Sequence, residues 1–340
     1  MVFQNIDFHN VEELEACEKG YIMWRLPREV RERMNEGIRD VSARYSTGTE
    51  LRFKIKGESV TLILRADEMD EAQVAYLYYG SFQGGWQYSS KVIGPDETRI
   101  TIPVPGNLEV MKRITKERQL GFDPEVVRVV MPYGRCYFVG AEGEIEPPAK
   151  EDVPARTYLA YGSSITHGSL ALAAPYTYPF RIAQKFKCDY LNLGFAGSAQ
   201  MERAMAQYIV SRKDWDFASV EMGINMVNFP AELLEERMKG FVEVLAEDPR
   251  PVFATSLFEN NMTGEMPDKI SLFRDIVRKH AAGRLIFTDG RELLDNPAFI
   301  SQDLTHPTLE GMEEITGRWY RVMKDRVCPC TSRENTHKIS

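Results

Sequence analysis

Tyr158-Leu159-Ala160-Tyr161-Gly162-Ser163-Ser164-Ile165-Thr166-His167-Gly168 is the stretch around which the rest of the chain is organised. Thr157 to Tyr161 is a short apolar run of the kind that forms a buried strand. It breaks at Gly162 and presents two serines and a threonine before a glycine-containing loop. A strand that stops at Gly-Ser-Ser holds a hydroxyl at the carboxyl edge of a parallel sheet, where open α/β sheets keep their sites. Many such passages are only turns, so the reading depends on the chain that follows.

Downstream, strands and helices alternate. Apolar strands are predicted at Thr157–Tyr161, Tyr190–Leu193, Phe217–Met222, Val252–Leu257 and Leu285–Thr288. Helical periodicity falls near Tyr178–Phe186, Met201–Ser211, Ala231–Ala246 and Lys269–Ala281, with a last helix from Leu309 to Met323. Buried strands separated by helices read as an α/β fold, a doubly wound parallel five-stranded sheet of flavodoxin-like type.

Upstream the period is two. Leu51, Phe53 and Ile55 alternate with charged residues, a Lys56-Gly57-Glu58 turn follows, then Val60, Leu62 and Leu64. Further alternating runs at Gln73–Tyr79, Thr98–Val104, Leu108–Ile114 and Val126–Met131 suggest an antiparallel β-sandwich or jelly roll. Pro27–Ile38 reads as a charged helix whose arginines, with Arg25, form a solvated face. The aromatic group Tyr76, Tyr78, Tyr79, Phe82, Trp86 and Tyr88 reads as sandwich core and rim rather than as a sugar-stacking surface, because aromatics favour strands. Pro147, Pro148 and Pro154 break both periods. The expected organisation is an N-terminal β-sandwich over 1–145, a linker over 146–155, a second domain over 156–326 and a polar tail over 327–340.

Composition narrows the partners. The chain has 340 residues, 43% hydrophobic and 27% charged, the mix of a globular protein with ample core. A net charge of -8 argues against nucleic acid as the main partner. No apolar run is long enough to span a membrane, and Met1–Gly20 lacks the apolar core of an export signal. The five cysteines are then expected as free thiols in a reducing cytoplasm. Cys328-Pro329-Cys330 lacks a second ligand pair, so no metal and no cofactor are expected.

Each strand end carries a distinctive block. After the first comes Ser164; after the second, Asn192-Leu193-Gly194-Phe195-Ala196-Gly197-Ser198; after the third, Met222-Gly223-Ile224-Asn225. Beyond the fifth, Asp303-Leu304-Thr305-His306-Pro307 precedes the last helix. These blocks resemble, in order and separation, the signature blocks of the SGNH hydrolases, or GDSL esterase/lipase family, over about residues 156–326. The resemblance implies a nucleophile at Ser164, oxyanion-hole donors at Gly197 and Asn225 beside the N–H of Ser164, and a His306–Asp303 pair. Two positions depart from the pattern. Gly-Asp-Ser is here Gly162-Ser163-Ser164, which makes Ser163 a decoy nucleophile, and the aspartate expected after Asn225 is Met226.

The chemistry needs these residue types. A serine hydroxyl becomes a useful nucleophile when a neutral imidazole takes its proton, and a carboxylate on the other ring nitrogen fixes the tautomer. A glycine at 197 leaves room for the oxyanion. Gly194 competes for that role and reads better as a turn glycine. His167 reads as a loop or pocket-wall residue. Phe195, Met226, Asn228, Phe229, Phe258 and Glu259 are candidate pocket walls. The two-domain arrangement is similar to that of carbohydrate esterases, which implies a small acylated substrate, a sugar among the candidates. An acyltransferase and a non-catalytic carbohydrate-binding protein are the alternatives.

Overall fold

The computed structural model describes residues 1–70, 73–86, 88–260 and 267–327. Five strands lie parallel in the second half: β1 (Thr157–Gly162), β2 (Asp189–Gly194), β3 (Phe217–Glu221), β4 (Val252–Thr255) and β5 (Ile286–Thr288). Their order is β2-β1-β3-β4-β5. The chain leaves β1 toward one edge and returns to β3 on its other side. This reversal opens a crevice beyond the carboxyl ends of the strands.

Side-chain alternation in β1 divides the core. Leu159 and Tyr161 pack with helices α2 (Arg203–Ser211), α3 (Ala231–Leu245) and α4 (Pro267–Ala281). Tyr158 and Ala160 face α1 (Tyr178–Phe186) and α5 (Leu309–Val327) on the opposite side. Both faces of the sheet are covered, which is why its strands read as continuous apolar runs.

The N-terminal half is β-rich, with an eight-stranded and a five-stranded antiparallel sheet. Ile6, Phe8, Leu51, Phe53, Leu62, Leu64, Leu77 and Phe138 form its core. Ser59–Ala66 alternates buried and outward positions along its length, the signature of a strand with one face in the core. Tyr79 is buried in this core and Tyr78 against Phe180 of the second half, whereas Trp86 is 98% exposed.

Three sequence expectations are corrected. Leu108–Arg118 is a helix, not a strand. Leu108, Val110 and Ile114 fit period two, but Leu108, Met111 and Ile114 fit one helix face. The intervening Glu, Lys and Arg favour helix. The charged helix expected over Pro27–Ile38 shrinks to one turn, Arg28–Arg31, followed by a wide turn at Gly37–Val41. Asn35 and Gly37 are poor helix formers. Its arginine face is not wholly solvated either: Arg25 and Arg31 are buried, and Arg31 donates to the Leu26 carbonyl and to Glu13 at 2.7 Å. The first 24 residues, in which no individual strand was located from sequence, supply four strands of the expected β-rich half.

The segment after Glu142 is strapped down. Ile145–Glu146 pairs with Ile55 and Lys54, and Asp152 sits 3.2 Å from the Lys54 ammonium. Cys328-Pro329-Cys330 and the tail beyond lie outside the described residues. Among the described residues no helix is long and apolar enough to cross a membrane.

Candidate active site

Ser164 opens a single helical turn, Ser164–His167, directly after β1. Ser163 precedes it in extended conformation, and its hydroxyl accepts from the Ile165 N–H at 3.1 Å. Ser163 is 1% exposed and Ser164 9%. The serine that replaces the expected aspartate therefore caps the turn, and Ser164 is the hydroxyl presented. A carboxylate still reaches the turn, from β3: Glu221 Oε2 accepts from the Ser163 N–H at 2.7 Å. Burial pushes the Glu221 carboxyl above its usual range, against the lowering effect of its hydrogen bonds from Ser163 and Thr166.

His306 arrives from the loop before α5. Its Nε2 lies 2.7 Å from Ser164 Oγ and its Nδ1 2.6 Å from Asp303 Oδ2. The other Asp303 oxygen accepts from the N–H groups of Thr305 and His306, both at 2.9 Å, and from the Ser301 hydroxyl at 2.6 Å. Partial burial works to raise the Asp303 carboxyl, but these hydrogen bonds and the imidazole outweigh it and hold Asp303 well below the ordinary carboxylate range. An ionised, fully occupied carboxylate keeps the proton on Nδ1 and leaves Nε2 free to accept from Ser164. Leu304, between the two, has φ 62° and is 47% exposed.

Three donors lie in the turns that follow β1, β2 and β3. The N–H of Ser164, first in its turn, and that of Gly197 have no protein acceptor among the described residues. Asn225 lies in the turn after β3, and its Oδ1 accepts from the Ala199 N–H at 3.0 Å. That bond leaves the amide Nδ2 as a donor with no acceptor among the described residues. Gly197 has φ +68°, a backbone conformation that favours glycine, although a Cβ there would meet no protein atom within 4 Å. Gly194 is not a turn glycine. It ends β2, where a Cβ would lie 2.2 Å from the His167 backbone nitrogen. The β2 end and the nucleophile turn touch backbone to backbone.

The expected pocket walls need correction. Phe195 and Met226 are 0% exposed and Phe258 2%; they lie in the core and offer no surface to a substrate. Phe229 is half-buried against the same core and Asn228 is exposed. His167 is no loop or wall residue, being fully buried. Sequence reasoning also missed Asn192, whose amide accepts from the Gly194 N–H at 2.8 Å and donates to the Thr166 carbonyl at 2.9 Å. It missed Glu221 too, although a glutamate closing the apolar run Phe217-Ala218-Ser219-Val220 was a visible signal, since carboxylates seldom enter such runs without a role.

The profile of the GDSL-like Lipase/Acylhydrolase family matches residues 156–323. No curated protein matches the chain. Among solved structures, the salicylyl-acyltransferase SsfX3 from a tetracycline biosynthetic pathway superposes with a TM-score of 0.69 at 15% identity, covering 96% of each chain. A family two carbohydrate esterase from Clostridium thermocellum, in complex with cellohexaose, gives 0.56 at 9% identity over 83% of this chain and 94% of its own. The acetyl xylan esterase Est2A from Butyrivibrio proteoclasticus gives 0.54 at 12% identity over 83% and 91%. These likenesses extend the shared fold through the N-terminal β-rich half. Residues 156–323 form the acylhydrolase domain of an ester-hydrolysing enzyme of the GDSL family.

Proposed function

We propose that the protein hydrolyses short-chain acyl esters, acetyl esters above all, of sugars or other small polar alcohols through an acyl-enzyme on Ser164. The observation that carries this reading is the Ser164–His306–Asp303 relay, with hydrogen bonds of 2.7 and 2.6 Å. Ser164 Oγ attacks the ester carbonyl while His306 Nε2 takes its proton. The imidazolium is held by Asp303, and its proton then passes to the departing alkoxide. Water, deprotonated by the same nitrogen, attacks the acyl-serine and releases the acid. Charge on the carbonyl oxygen is met by the N–H groups of Ser164 and Gly197 and the Asn225 amide. Each such donor is worth roughly 3–4 kcal/mol of barrier. The carbohydrate esterases of like fold support the polar alcohol.

A second reading, acyl transfer to an alcohol other than water, is favoured by the greater likeness to an acyltransferase over nearly the whole chain. Both readings share the acyl-enzyme. Initial rates on 4-nitrophenyl acetate, butyrate and octanoate, for wild type, Ser164→Ala and Ser163→Ala, test it. The expected result is a fast wild type with acetate preferred, an inactive Ser164→Ala and a near-normal Ser163→Ala. A wild type no faster than Ser164→Ala on these esters and on acetylated xylan would overturn the reading. A rate that rises with added alcohol, with ester as the product, would select transfer.

A further inference from the structure

The N-terminal half supplies none of the relay, yet it packs directly on the turn that carries Ser164, around His167, and Asn35 donates to the Ser198 carbonyl at 2.8 Å. His167, the last residue of the nucleophile turn, is 0% exposed. Its ring lies between two tyrosines of the N-terminal half, Tyr133 at 4.2 Å between centroids and Tyr45 edge-on at 5.1 Å. The Thr47 hydroxyl donates to its carbonyl at 2.8 Å. Its two ring nitrogens face opposite ways. Nε2 lies 3.4 Å from the Tyr133 carbonyl, which can only accept, and Nδ1 lies 3.3 Å from the Ala196 N–H, which can only donate. Both contacts are met by one species alone, the neutral imidazole carrying its proton on Nε2. Burial, with the positive charge of Arg25 nearby, holds the ring well below its usual range and so neutral.

Ala196 is the residue before Gly197. The Ser198 N–H donates to the Phe195 carbonyl at 3.0 Å, closing a four-residue turn around them. Positive φ at its third residue, Gly197, and not at Ala196 matches a type II turn. One side of that turn is anchored by the Phe195 N–H on the Gly162 carbonyl at 2.8 Å, the next N–H by His167. With two successive N–H groups pinned, the plane of the following peptide, which carries the Gly197 N–H, has little freedom left.

We infer that His167 is a positioning residue through which the N-terminal half sets the orientation of the Gly197 N–H. It never touches substrate. Its consequence for rate rests on the esterase reading, but its geometry is tested separately. The full chain labelled with 15N-histidine, and assigned against His167→Asn, gives a long-range 1H–15N spectrum. The expected pattern is a bare Nδ1 and a protonated Nε2 that do not change between pH 5.5 and 9. Tyr45, Tyr133 and Arg25 are the titratable or charged groups facing the ring. A proton on Nδ1, or a ring that titrates in that range, overturns the inference whether or not the protein proves to be an esterase.

The kinetic arm compares His167→Phe, which fills the space without an acceptor, with His167→Asn, whose amide oxygen reaches the Nδ1 position. On 4-nitrophenyl acetate, His167→Phe lowers kcat by about tenfold to a hundredfold with KM nearly unchanged, the scale of a misplaced catalytic group. His167→Asn recovers most of it. Equal loss in both variants, or loss confined to KM, counts against positioning. An inactive wild type refutes the esterase reading instead, and the spectrum alone then decides His167.

Discussion

At the scale of single residues, the proposed mechanism is an ordered handover of one proton. Asp303 receives three hydrogen bonds besides holding Nδ1 of His306 in one tautomer. Asp303→Asn keeps the shape but donates where it should accept, so the imidazole takes the wrong tautomer. We expect kcat on 4-nitrophenyl acetate to fall by about 10⁴-fold with KM little altered. On the proposed mechanism Asn225→Ala removes one donor to the oxyanion, and about 10²- to 10³-fold in kcat is the expected loss. A comparable rise in KM with kcat intact would mean that Asn225 binds ground-state substrate instead.

At the scale of elements, the turn after β1 is held from its neighbours on both sides. β2 touches it through Gly194 and Asn192, and β3 through Glu221. Glu221 is 1% exposed, and its Oε1 has no partner among the described residues. Because burial raises its folded pKa above the ordinary value, its ionisation costs stability. That cost is absent at low pH and develops as pH rises from the ordinary value through the raised one. Glu221→Gln retains an acceptor for the Ser163 N–H without the charge, so denaturant unfolding at pH 7 should show equal or greater stability. Glu221→Ala strands that N–H and should cost about 1–3 kcal/mol. If Gln proves as damaging as Ala, the charge itself is required.

At the scale of the whole molecule, the two halves are joined by a buried ion network. Arg52 makes a two-pronged pair with Asp189 at the start of β2, at 2.6 and 2.7 Å, and reaches Glu50 at 2.8 Å. Arg128 holds Glu50 from the other side at 2.6 and 2.7 Å. Burial alone would raise the Glu50 carboxyl, but the two guanidiniums bring it down from 4.5 to about 2. A depressed carboxylate stabilises the fold above its unfolded pKa and loses that contribution as pH falls through the folded one. Glu50→Gln should therefore cost about 3–5 kcal/mol at neutral pH, as breaking a buried pair does. The gap to wild type should close as pH falls from about 4.5 toward about 2. A gap independent of pH would mean that packing, not charge, is lost.

Most of the second half was legible in sequence because β1 to β4 are buried on both faces and each helix on one. Tyr178–Phe186 coincides with α1, and β1 to β5 fall within a few residues of their apolar runs. Ser164, His306 and Asp303, singled out from local blocks of sequence, meet within hydrogen-bonding distance; the Ser164 turn follows its strand directly, whereas Asp303 and His306 come from the loop before α5. The helix at Leu108–Arg118 was not legible from apolar spacing, since a short run fits both periods; helix-forming Glu, Lys and Arg and the burial of Met111 select one. Phe195 and Met226 could not be told from pocket walls, because whether an apolar side chain at a strand end meets substrate or core depends on what lies above it. Nor could the sequence pair Arg52 with Asp189, 137 residues away, or place His167 between Tyr45 and Tyr133. Sequence determined the elements and the chemistry at their ends; contacts between distant segments decided which side chains are buried, which tautomer His167 takes and how the two halves meet.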